Sequence, residues 1–192
     1  LVDYGAGNLH SAAKALERAA RESGWPGTVE TTRDIAAVRS ADRIVLPGVG
    51  AYGACMARLN AVSGLRAAIE ARVAGEGAPL LGICVGMQML AEESLEFGRH
   101  AGLGWIKGRV VPLAPRDPAF KVPHMGWNAL APRNPAHPLL AGLGEGNPYV
   151  YFVHSYHLQA GEPCDVLATA DYGGRVTAMV ARGNIAGTQF HP

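Results

Sequence analysis

"PLLGICVGMQML", residues 79–90, ends an apolar run with a cysteine set between two glycines. The apolar part, "APLLGIC", has the length and composition of a strand buried on both faces. The stretch behind it, "VGMQMLAEES", reads as a helix. Gly82-Ile83-Cys84-Val85-Gly86 is therefore a G-x-nucleophile-x-G arrangement at a strand-to-helix turn. The reason for glycine on both sides is steric: a helix can start this close to a strand only where the neighbours of the apical residue carry no Cβ. A helix N-terminus behind Cys84 would favour thiolate over thiol, and the N–H of Val85 could face a developing oxyanion. The same residues also fit a buried structural cysteine in a glycine-rich βα turn. Cys55 and Cys164 lack this setting and read as inert thiols.

Outward from this turn, the first half alternates short apolar runs with helical stretches. "LVDYG" reads as a strand and tight turn. "NLHSAAKALERAARESG" places Leu9, Ala12, Ala13, Leu16 and Ala20 on one helical face, with Asn8 as N-cap and Gly24 as stop. "DRIVLPGVG" reads as a strand entering a Pro/Gly loop, and "LRAAIEARVAGEG" repeats Leu65, Ile69 and Val73 as a second helix. Strands alternating with helices imply right-handed crossovers and a mainly parallel sheet. After about Gly104 the runs "GWIKGRVVPL", "KVPHMGWNAL", "PYVYFVHSYHLQ", "CDVLATADY", "RVTAMVARG" and "NIAGTQF" are β-rich and separated by Pro, Gly and Asn turns. They favour a mixed or antiparallel extension of the same sheet. No linker or repeat divides residues 1–192, so one α/β domain is expected.

Composition narrows the function classes. Of the 192 residues 48% are hydrophobic and 17% charged, which is globular. A net charge of +1 offers no basic face for nucleic acid or an anionic membrane. No apolar run reaches membrane-span length, and three scattered cysteines make no disulfide framework. A reducing cytoplasm is expected. His154-x-x-His157 alone makes no metal site, and neither "GAGN" nor "PGVGAYG" completes a nucleotide-binding pattern. The second loop can still offer backbone N–H groups to an anion.

A nucleophilic cysteine needs a base. His191 follows the strand-like "NIAGTQF" and would stand at a strand's C-terminal end, where α/β folds gather their sites. It could equally be a surface histidine. His154 and His157 fit packing or substrate-lining roles. The first residue is not methionine and the last motif is "TQFHP", so both ends are expected to be truncated.

Together "DYGAGN" (3–8), "LPGVGAYG" (46–53), "LGICVGMQML" (81–90), "PHMGWN" (123–128), "YFVHSY" (151–156) and "GTQFHP" (187–192) resemble the class I triad glutamine amidotransferases. Within them they are similar to the glutaminase subunits of imidazole glycerol phosphate synthase. The resemblance covers essentially the whole chain. It implies a flavodoxin-like amidotransferase fold and a Cys84 that attacks the glutamine side-chain amide through a thioester. It further implies His191 as general base and acid, with a glutamate just after Pro192 as third member. Val49 and Val85 would form the oxyanion hole, and Gly50, Gln88, Ser155 and Tyr156 would hold glutamine. Asn8 and Trp127 are the candidates for a face that docks a (β/α)₈-barrel cyclase in a heterodimer; for Trp127, core packing is the alternative. The cyclase would take the ammonia and release imidazole glycerol phosphate and aminoimidazole carboxamide ribotide. The resemblance implies no cofactor, metal, nucleic acid or membrane. Competing expectations are the glutaminase of anthranilate or pyridoxal phosphate synthesis, a non-catalytic partner domain, and a cysteine hydrolase of another amide.

Overall fold

The computed structural model describes residues 1–143, 146 and 148–192. Its central sheet joins six strands in the order β1 (Ile44–Gly48), β2 (Leu80–Cys84), β12 (Ile185–Thr188), β11 (Arg175–Arg182), β10 (Val166–Asp171) and β7 (Ala131–Pro132). β2 lies parallel to both β1 and β12, and the run from β12 onward is antiparallel. The sheet is thus mixed, with its parallel part around the cysteine strand. β2 reads as continuously apolar because it is covered on both sides: Leu80, Ile83 and Cys84 are all buried. A second sheet has the order β4 (His100–Ala101), β3 (Ala91–Ser94), β5 (Ile106–Pro112) and β9 (Tyr156–Ala160). The third unit is an antiparallel ribbon of β6 (His124–Ala129) and β8 (Tyr149–His154).

Helices come from the first half. α1 (Leu9–Glu22) starts where Asn8 Oδ1 accepts from Ser11 N–H at 3.3 Å, and Gly24 beyond its end has φ +68°. Both ends are as the caps predict. α2 is Ile35–Ser40 and α3 Tyr52–Ala61; α4 (Leu65–Glu70) runs on into a π-helical turn, Ala71–Gly75. Leu65, Ile69 and Val73 are all buried, so the predicted face is the one that packs. α5 is a single turn, Val85–Gln88.

Two local expectations are corrected. "LVDYG" makes no full strand: Val2 bridges Thr32 on one side and donates its N–H to Val45 O at 2.9 Å on the other. The chain then turns away, because Asp3 Oδ1 accepts from Gly5 N–H and its other oxygen pairs with Arg33. "VGMQMLAEES" does not continue as a helix. After α5 the chain becomes β3, where Ala91 and Ser94 lie fully buried in the second sheet. Burial of that segment in a sheet outweighs its moderate helix propensity.

Candidate active site

The turn around Cys84 is held by close approach. A Cβ on Gly82 would stand 2.6 Å from Gly86 O and 2.8 Å from Met87 Cα, and one on Gly86 would collide with Leu46 O of β1. α5 is therefore pressed onto β1 and β2 at a distance only glycine permits. Cys84 itself, with a side chain, is held at φ +55°. A β-carbon residue in that region is strained and persists only when its surroundings impose it.

The sulfur faces a cleft of about 380 Å³ lined by Val49, Gly50, Cys84, Val85, Gln88, Glu96, Pro123, Val153, His154, Ser155, Tyr156 and His191. All eight residues expected for catalysis, oxyanion binding and glutamine binding border this one space, although they come from four separate stretches of the chain. Burial pushes the Cys84 thiol up to about 11, while Val85 N–H and the Gln189 amide pull it down. The expected preference for thiolate is thus opposed at rest, because a one-turn helix supplies little dipole and burial disfavours the charged form. His191 is half-buried, and burial holds its imidazole below the usual histidine value, in the neutral form a base requires. Its backbone N–H donates to Tyr151 O at 3.1 Å, which ties the histidine to β8. The glutamate expected after Pro192 lies beyond the sequence.

Below the cleft runs a chain of buried polar groups. Asn128 Nδ2 donates to Asp171 O at 2.8 Å and lies 3.2 Å from His124 Nε2, so that nitrogen is an acceptor. His124 must then carry its proton on Nδ1, which meets His154 Nε2 at 3.0 Å. His154 in turn donates from Nδ1 to Tyr156 O at 2.9 Å. Burial lowers His124 to about 4 and His154 to about 3, so both stay neutral, in agreement with one N–H each. His154 therefore lines the cleft as a fixed wall, not as a second base.

A second cavity of about 330 Å³ shares Val49, Val153 and His191 with the first and continues past Asn8, Ser11, Tyr151 and Pro47. The loop 3–8 braces its floor: Tyr4 Oη donates to Pro47 O at 2.5 Å. Trp127 is 70% exposed, which excludes the core-packing alternative. Its indole meets the Tyr151 ring edge-on at 5.7 Å. Met125, Trp127, Tyr149, Tyr151 and Val153 all point outward from the ribbon, since residues two apart share a face.

The structure adds two residues to those expected from sequence. Among the described residues Glu96 contributes the one carboxylate bordering the cleft, and it also accepts from the Tyr52 N–H that opens α3. Nothing in "ESLEFG" marks it, because a loop folds it inward. Gln189 lies two residues before His191, in the bend that follows β12, and no motif marks its side chain. Among the described residues no group of His, Cys, Asp and Glu could hold a metal ion, and no helix is long and apolar enough to cross a membrane.

A strained cysteine at a strand–helix turn shares a cleft with a neutral histidine, an arrangement suited to nucleophilic chemistry, and the known relatives place the chain in a class. The family model "Glutamine amidotransferase class-I" matches residues 1–192, and the chain belongs to that family. Within it, the chain is 54% identical over 192 residues to the imidazole glycerol phosphate synthase subunit HisH of Rhodospirillum rubrum, covering 100% of this chain and 89% of that protein. It is also 54% identical over 194 residues to the same-named subunit of Mesorhizobium japonicum, again covering 100% and 89%. A crystal structure of a glutamine amidotransferase superposes with a TM-score of 0.72 at 19% identity, over 100% of this chain and 88% of that one. That likeness concerns the fold alone.

Proposed function

We propose that the protein is the glutaminase subunit of an imidazole glycerol phosphate synthase and serves histidine biosynthesis. The observation that carries the chemistry is Cys84 at φ +55° in one cleft with His191. His191 takes the thiol proton, and the thiolate attacks the side-chain carbonyl carbon of glutamine. The C–N bond breaks as His191 returns the proton to the leaving nitrogen, giving ammonia and a thioester. Water, deprotonated by His191, then adds to the thioester, the C–S bond breaks and glutamate leaves. Val85 N–H, already beside the sulfur, and Val49 N–H serve the oxyanion. Gly50, Gln88, Ser155 and Tyr156 hold the substrate, and the Glu96 carboxylate is suited to its α-ammonium group.

The partner we propose is a (β/α)₈-barrel cyclase, docked on the outer face of the β6–β8 ribbon around Trp127 and near Asn8. The support is a contiguous apolar and aromatic patch beside the second cavity, which leads from His191 to that face. Ammonia leaving Cys84 by this route would reach the partner without crossing solvent. The whole chain acts as one catalytic domain in this reading, and a cytoplasmic location fits its substrates. The test is Cys84→Ala in the assembled complex. Glutamine-dependent product formation should vanish while formation from added ammonium salts persists. Retained glutamine dependence would refute the nucleophile, and loss of both activities would point to a defect of assembly.

A further inference from the structure

Gln189 is fully buried, and both ends of its side-chain amide are engaged within the cleft wall. Its Nε2 donates to Cys84 Sγ at 3.6 Å, and its Oε1 accepts from Gln88 Nε2 at 3.0 Å. The orientation is forced. Gln88 Nε2 also donates to the backbone carbonyl of Tyr156 at 2.9 Å, and a carbonyl can only accept. Gln88 must therefore present its NH₂ to this side, Gln189 must answer with its oxygen, and a donor is left facing the sulfur. With both Gln88 N–H groups used, Gln88 Oε1 has no donor among the described residues while Gln88 borders the cleft.

Resting on the assignment of Cys84 as nucleophile, we propose that Gln189 is a catalytic residue of glutamine hydrolysis: its N–H holds the sulfur as thiolate while its carbonyl turns the Gln88 carbonyl toward substrate. The proton leaving sulfur goes to His191; Gln189 transfers none. A donor to an anionic sulfur forms a charge-assisted bond, stronger than its bond to the thiol, so it favours the state that attacks. Burial opposes ionisation at this site, which makes each such donor matter more. The same amide thus serves nucleophile and substrate pocket together.

The experiment compares Gln189→Glu and Gln189→Met with the parent in the complex with the cyclase. Three quantities are read: the pH profile of Cys84 alkylation by iodoacetamide, kcat and KM for glutamine, and the reaction from ammonium salts. Gln189→Glu keeps an acceptor for Gln88 but replaces the donor at sulfur. Its alkylation midpoint should rise by about one pH unit or more, and kcat should fall roughly 10²-fold at unchanged KM. Gln189→Met should lose kcat similarly and raise KM as well, because Gln88 is released. An unchanged midpoint and kcat in a folded Gln189→Glu would overturn the proposal. Should neither variant fold, the unmutated protein decides: in ¹⁵N-glutamine-labelled material the Gln189 side-chain resonances should shift through the Cys84 titration. Resonances that stay fixed across it would overturn the proposal too. A Cys84→Ala variant that still hydrolyses glutamine would remove the underlying assignment, whereas an inactive Cys84→Ala beside an unaffected Gln189→Glu would remove this proposal alone.

Discussion

With its pKa pushed to about 11, ionising the Cys84 thiol at pH 7 costs roughly 5 kcal/mol if nothing takes up the proton in place. That cost is why a neutral His191 in the same cleft is the pivotal second residue. Replacing it with Ala should lower glutamine turnover by roughly 10²–10⁴-fold, the range for a positioned acid–base group. The reaction from ammonium salts should be spared, and a larger loss in a His154 variant would move the assignment. The sign of the pH effect follows from burial. A base with a lowered pKa stays unprotonated further into acid, so the acid limb of kcat/KM for glutamine should fall below about pH 6.5, the ordinary histidine value. A limb above that value would mean that something acidic raises His191, or that a different group is titrating.

The elbow joining β2 to α5 was readable residue by residue, because its requirement is local: two glycines flanking an apical residue say that backbone must meet backbone. Gly86 carries that requirement most sharply, since a Cβ there meets the carbonyl of Leu46. Gly86→Ala should therefore destabilise the fold by about 1–3 kcal/mol or more, seen as a lower thermal midpoint together with loss of glutamine hydrolysis; an unshifted midpoint would mean that β1 and α5 separate easily. α4 was equally open to inspection, with Leu65, Ile69 and Val73 buried at i, i+4 and i+8. β3 was not. "LAEES" has helix formers and no β-branched residue, and it becomes strand only because β5 and β4 flank it in space. Gln189 was hidden for a related reason: its role depends on a carbonyl 33 residues earlier, at Tyr156, that fixes two amides in series. Motifs record which residues meet; they do not record which way an amide faces.

For the whole molecule, the ribbon of β6 and β8 joins outside to inside. Its outer face carries Met125, Trp127, Tyr149 and Tyr151, and its inner face carries His124, Phe152 and His154. His124 is clamped between the rings of Tyr172 at 3.9 Å and Phe152 at 4.5 Å, and its hydrogen-bond chain reaches Tyr156 O, which also receives Gln88. β8 additionally holds the backbone of His191 through Tyr151 O. A partner seated on the outer face, as proposed, would press on the strands that hold His191 and Gln88. Such a partner can change activity only by binding one arrangement of these groups better than another. In the proposed site the loop after β1 is where a second arrangement would arise, since Gly50 sits at φ +89° and Gly48 has no side chain to resist reorienting the peptide before Val49. One oxyanion donor is worth roughly 2.7–4 kcal/mol, enough for a 10²–10³-fold change. We expect glutamate release to be slow in the isolated protein, faster with the cyclase, and fastest with cyclase plus its nucleotide ligand. Trp127→Ala should weaken the complex by about 2 kcal/mol or more, as a central aromatic anchor does, and should lower the rate at subsaturating partner. Glutamate release measured in the three states decides the matter, and equal rates in all of them would leave the ribbon as a docking surface with no hand in catalysis.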